Sequence, residues 1–318
     1  MTKELLQDTN SVVKQRSSAA CIKEGFRFIT SHFRSLFHSA WAPVLVTALL
    51  MTVYFLFFIE MMVIPMPTDV SIGTMVIMYV SYVLYSLSGL LLTGRLFMLF
   101  KEFRDTGRVP RLKLTSGWKQ TLKMAGRAFI FQIWIILLAS PGTQLFSIIG
   151  QWLPKPQSLT GLGFMTAGLI VVAIIAFISL IPLMYTFYKY VLDGGSFMKM
   201  VGKSYARGAR HRGKIVAVGI LSGILVAVIL GFVLLPMMIV SGAFTQSVIG
   251  ILQGDESGVP SYFPWLMRIT YLVSMIASVL VSIYCYSSML YVYGSIEAQE
   301  NERENYIIQQ ETNEQTTT

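Results

Sequence analysis

Six long apolar runs leave this chain few ways to fold. They cover residues 41–64, 72–99, 128–150, 162–192, 215–241 and 265–294. Each reaches the roughly 20 residues that a helix needs to cross a hydrocarbon core about 30 Å thick. Backbone polar groups find no water in such a core, so the runs must satisfy themselves as helices. The expected fold class is therefore all-α, a polytopic bundle of six transmembrane helices.

Charge placement orients the bundle. All of the 25 Lys and Arg residues except Lys155 and Arg268 lie before the first run, in the second and fourth connections and their flanks, or after the last run. Cations gather on the cytoplasmic side, which puts both termini and the basic connections there. The net charge of +9 could suit nucleic acid, but its confinement to one face favours lipid. Hydrophobic residues make up 54% of the chain and charged ones 13%, against about 25% charged in a soluble domain. The expected organisation is a flexible N-terminal segment over 1–22, a membrane domain over 23–296 and a disordered acidic tail over 297–318. The first run has no cleavable signal-peptide pattern ahead of it and is expected to stay as a signal anchor. Cys21 and Cys285 fall on or near the cytoplasmic side, where a disulfide is not expected.

Basic residues recur at helical spacing ahead of three spans. Lys23, Arg27 and Arg34 precede the first, Lys119, Lys123 and Arg127 the third, and Lys199, Lys203, Arg207, Arg210 and Lys214 the fifth. Each set reads as a basic amphipathic interfacial helix. A displacement of 176 residues carries Glu60–Ile64 onto Pro236–Val240 without a gap. This pattern suggests three repeated helical hairpins, although apolar alphabets also produce such matches cheaply. The basic sets are candidates for anionic lipid headgroups, each cation near the surface contributing about 1 kcal/mol. A charge face that merely enforces topology predicts the same residues.

Small residues mark where membrane helices approach closely. Gly219, Gly223, Ala227 and Gly231 form a stripe on the fifth span, and Ser274, Ser278 and Ser282 form one on the sixth, so these two helices are expected to pack along them. Trp41, Trp118, Trp152 and Trp265 read as headgroup anchors, as do most of Tyr284, Tyr286, Tyr291 and Tyr293. Asp193-Gly194-Gly195-Ser196 reads as a helix stop followed by a start. The outer loops are Pro65–Ser71, Gln151–Gly161 and the longer Gly242–Pro264.

Residues that would carry chemistry are scarce. Glu60 and Arg268 belong near the same outer face and form a candidate ion pair, while Arg95 and Lys189 sit where long side chains snorkel. His32, His38 and His211 read as solvated interfacial residues with no second metal ligand at the right spacing. No nucleophile elbow, phosphate loop or Cys cluster occurs, so no catalytic residue, cofactor or metal is expected.

Lys23-Glu24-Gly25-Phe26-Arg27 before the first span and Tyr291-Val292-Tyr293-Gly294-Ser295-Ile296-Glu297 closing the last resemble uncharacterised six-span bacterial integral membrane proteins. Those are distantly similar to the membrane domain fused to some glycerophosphodiester phosphodiesterases. The resemblance implies the six-span layout over 23–297. It brings no catalytic residue, because the soluble barrel and its carboxylates are not in this sequence. The expected function is non-catalytic, organising membrane lipid or a partner protein. The alternative is a permease or lipid transporter with a pathway near the spans broken by Pro141, Pro182 and Pro236.

Overall fold

The computed structural model describes residues 12–63, 72–112, 116–152, 168, 178–254 and 258–317, excluding the side chains of 60, 62–63, 72, 138–152, 252 and 315–317. No strand occurs among them. The helices are α1 (Ser18–Val63), α2 (Ile72–Thr106), α3 (Trp118–Trp152), α4 (178–193), α5 (Phe197–Arg210), α6 (Arg212–Leu252) and α7 (Phe263–Thr317).

Four of these are long and apolar enough to cross a membrane, within Ser18–Ile59, Gly73–Thr106, Arg212–Ile251 and Phe263–Glu314. The expected span 162–192 and the loops at 65–71 and 153–161 fall wholly or partly outside the described residues, and in the expected span 128–150 the side chains from 138 onward, Pro141 among them, do so too. The third loop is shorter than expected, because α6 continues to Leu252.

The helices are also longer than the apolar runs within them. α1 has 46 residues and α7 has 55, about 70 and 80 Å of rise, so both extend well beyond a 30 Å core. The basic stretches at 23–38 and 118–127 are not separate interfacial helices. They are the first turns of α1 and α3, which continue without a break into the apolar runs, in α1 through Pro43. Only the third basic set forms its own element, the 14-residue α5, and Lys214 lies past it in α6. At the α4–α5 junction Gly194 and Gly195 take φ of 73° and 118°, a backbone that L side chains rarely adopt, so the expected stop and start is seen.

α7 is the hub. It packs most extensively on α1 and α6, while α2 packs on α1 and α3. The core is densest toward the end that holds the basic residues, where Phe28, Phe97, Phe100, Leu192, Leu290 and Ile296 are fully buried. Phe28 meets Phe103 at 4.8 Å between ring centroids and Phe97 meets Tyr188 at 4.9 Å, tying α1, α2 and α4 together. Farther along, broad apolar faces lie open, among them Val76, Val80 and Leu84 on α2 and Ile224, Val228 and Phe232 on α6. Apolar surface this extensive suits contact with hydrocarbon.

The small-residue stripe on α6 lies differently from expectation. Gly223, Ala227 and Gly231 are exposed, and the buried face runs through Ile215, Val218, Ser222 and Val226. Gly219 alone approaches α7, near the end of the Met289 side chain. Ser274 does reach across to α6, donating to the Val233 carbonyl at 3.2 Å beside the break at Pro236. Ser278 and Ser282 donate to carbonyls of their own helix, Ser274 at 2.7 Å and Val279 at 2.7 Å. The closest helix approaches lie elsewhere. A Cβ at Gly25 would stand 2.7 Å from Ser288 Cα of α7, and one at Gly94 would stand 2.5 Å from the Thr121 carbonyl oxygen of α3.

Over their described residues, 12–22 and 297–317, both terminal segments are ordered instead of flexible, while residues 1–11 and 318 lie outside the described residues. Val12 is buried against Gly294, Arg16 N donates to Ser295 Oγ at 2.8 Å, and residues 18–22 already belong to α1. At the other end α7 runs unbroken to Thr317, and its Glu297, Glu300 and Glu304 meet cations of neighbouring helices.

Candidate functional site

Most described polar contacts between helices gather where the ends of α2, α4 and α5 meet α7. Glu297, Glu300 and Glu304 follow one another at offsets of three and four, so they share a face of α7. α5 answers with Lys203, Arg207 and Arg210 at offsets of four and three. Glu304 pairs with Arg207 and lies 3.9 Å from Lys203. Glu300 takes Arg210 at 2.8 Å, His211 at 2.9 Å and Arg207 at 3.8 Å. The two helices thus run antiparallel, acid against base, in matching register.

A second cluster lies deeper. Glu297, 7% exposed, accepts from Lys189 Nζ at 2.7 Å and from the Tyr185 hydroxyl. Lys189 also reaches Asp193 at 3.0 Å, and Asp193 binds Arg104 Nη1 at 2.5 Å and the Tyr293 hydroxyl at 3.1 Å. With Asp105 3.0 Å from Arg104 Nε, two cations and three carboxylates therefore interlock across α2, α4 and α7. Beside them Lys214 Nζ donates to Ser295 Oγ at 2.6 Å, and the Arg16 guanidinium lies 5.0 Å from the Tyr291 ring centroid.

Arg95 anchors a third node. It is 1% exposed, and it donates to the Ser39 carbonyl at 3.0 Å, the Ser116 carbonyl at 2.5 Å and Thr121 Oγ1 at 3.4 Å. It holds α1, α2 and α3 together instead of snorkelling. His32 and His211 are engaged as well, the first with the Phe28 carbonyl at 3.1 Å and the second with Glu300. Tyr284, Tyr291 and Tyr293 are buried and do not serve as headgroup anchors.

The basic residues expected at lipid headgroups divide into two groups. Lys23, Arg34, Lys119, Lys123 and Lys199 are exposed and have no ionic partner among the described residues, and Arg27 makes only a 3.8 Å contact with Glu24. Lys203, Arg207, Arg210 and Lys214 face α7, while Arg127 donates to the Val191 carbonyl at 3.0 Å. At the far end Arg268 lies over Trp265 at 5.2 Å. Its expected partner Glu60 is helical, with a side chain outside the described residues. Cys21 and Cys285 are free thiols. Among the described residues no three His, Cys, Asp or Glu converge to hold a metal.

The clusters read chemically as a clamp, each carboxylate being matched to a cation. Burial pushes the Asp193 carboxyl up, but the Arg104 hydrogen bond and the Lys189 charge outweigh it and hold it below the usual carboxylate range. A depressed carboxyl stabilises the fold above its unfolded-chain value, about 3.9, and loses that effect as pH falls through its lower folded-state value. Asp193→Asn is expected to melt below the parent at pH 7 and to converge with it in acid. Melting curves measured in detergent that stay parallel down to the acid limit would contradict this.

Comparison with protein-family models, with curated proteins and with solved structures finds no match, so the functional reading rests on the chain's own geometry.

Proposed function

We propose that this is a non-catalytic, multi-pass protein of a bacterial cytoplasmic membrane, with both termini inside, which organises anionic lipid around its basic end. The supporting observation is the division of its cations. Arg207 and Arg210 pair with carboxylates of α7 and Lys214 and Arg127 with a hydroxyl and a carbonyl, while Lys23, Arg34, Lys119, Lys123 and Lys199 stay exposed around the same end. Exposed cations beside an anionic leaflet gain about 1 kcal/mol each, enough together to enrich acidic headgroups without selecting one species.

The test is lipid retention. The full chain is reconstituted in nanodiscs of mixed phosphatidylglycerol and phosphatidylcholine, extracted gently, and its bound lipid is weighed by native mass spectrometry. Glutamine at the five rim positions is expected to cut retained phosphatidylglycerol at least several-fold without lowering the melting temperature. Unchanged retention would overturn the proposal.

A further inference from the structure

The opposite end of the bundle carries a groove that the clamp does not involve. Leu49, Thr52 and Leu56 of α1, Phe244 of α6, and Phe263 and Arg268 of α7 line a cavity of about 450 Å³, within the size range of small-molecule sites. The Phe244 and Phe263 rings stack at 6.5 Å and close the wall between α6 and α7. The groove reaches along α7 from Phe263 to Leu272, about 14 Å of helix rise.

Its chemistry is one-sided. Thr52 already donates its hydroxyl to the Ala48 carbonyl at 2.8 Å, so Arg268 is the lining side chain left to donate to an anionic ligand. The Trp265 ring beneath the guanidinium steadies it, and the first turn of α7 adds the positive end of a helix dipole. A sugar or a peptide would find too few partners on these walls. Hydrocarbon would find a matching surface, and an anion at its end would meet Arg268.

We propose that this groove holds an acyl chain of an anionic membrane phospholipid whose phosphate pairs with Arg268. The site lies at the far end from the basic rim and does not depend on the function proposed above.

The experiment starts from the full-length rim variant with glutamine at positions 23, 34, 119, 123 and 199, so that only lipid bound elsewhere is read. Native mass spectrometry titrates dioleoylphosphatidylglycerol and dioleoylphosphatidylcholine. Arg268→Gln is expected to weaken phosphatidylglycerol about five-fold and phosphatidylcholine clearly less, because choline already neutralises its phosphate, while Arg268→Lys keeps most of the preference. Leu56→Trp fills the groove and should weaken both lipids, and its melting temperature shows whether it still folds. The exposed Arg268 variants keep the test decisive if it does not. Three results would each overturn the proposal: phosphatidylglycerol binding untouched by Arg268→Gln, equal loss of both lipids in that variant, or displacement of the lipid by millimolar inorganic phosphate.

Discussion

Glu297→Ala is expected to cost about 3 kcal/mol, the low end for breaking a buried ion pair, since Lys189 keeps some contact with solvent. The loss comes less from the missing attraction than from what stays behind. Lys189 would keep only Asp193, and the Tyr185 hydroxyl would be buried without its acceptor. Glu297→Gln retains an acceptor for Tyr185 and should fall between the two. Glu304→Ala, at a half-exposed position, should cost less than about 1 kcal/mol. Chemical denaturation in a mild detergent, followed by circular dichroism, ranks these variants. A Glu297→Ala protein as stable as the parent would show that the deeper cluster does not hold the helices together.

The second large effect concerns glycine, and the structure reverses the ranking that sequence suggests. Gly94→Ala would place a methyl 2.5 Å from a carbonyl oxygen of α3 and 2.8 Å from the Ala125 backbone nitrogen. Neither atom can rotate away, so the two helices must separate, at an expected cost of about 3 kcal/mol. Gly223→Ala, in the middle of the period-four stripe, meets nothing within 4 Å. It should be neutral, or stabilising by up to about 1 kcal/mol through higher helix propensity. Melting temperatures of the two variants side by side provide the check, and equal effects would refute the assigned packing.

That reversal shows what can be read from the residues alone. Small residues do mark close approach, but α6 is apolar on every side, so its pattern gives no direction toward a neighbour. Gly25 is the one glycine of α1 and Gly94 one of three in α2, outside any period-four stripe, and both look like any other glycine until the opposing backbone is in view. Four of the apolar spans, the gathering of cations at one end and the helix break at Gly194-Gly195 follow from local chemistry and were legible. The last part of α7 was not, because a polar stretch that buries no apolar face reads as disordered. Its signal lay in a relation between distant segments, the offsets of Glu297, Glu300 and Glu304 answering those of Arg210, Arg207 and Lys203. Arg95 was hidden for a related reason, since its acceptors are backbone carbonyls that the residue pattern does not display.

The hub position of α7 also constrains the order of biogenesis. Of the described helices it leaves the ribosome last, yet it supplies the carboxylates for Lys189, Arg207 and Arg210 and the surface on which α1 closes. Until it arrives, the inserted precursor carries naked cations and a gap beside its first helix. Membrane quality control would therefore meet a vulnerable nascent form whose lifetime is set by how quickly the final helix is delivered.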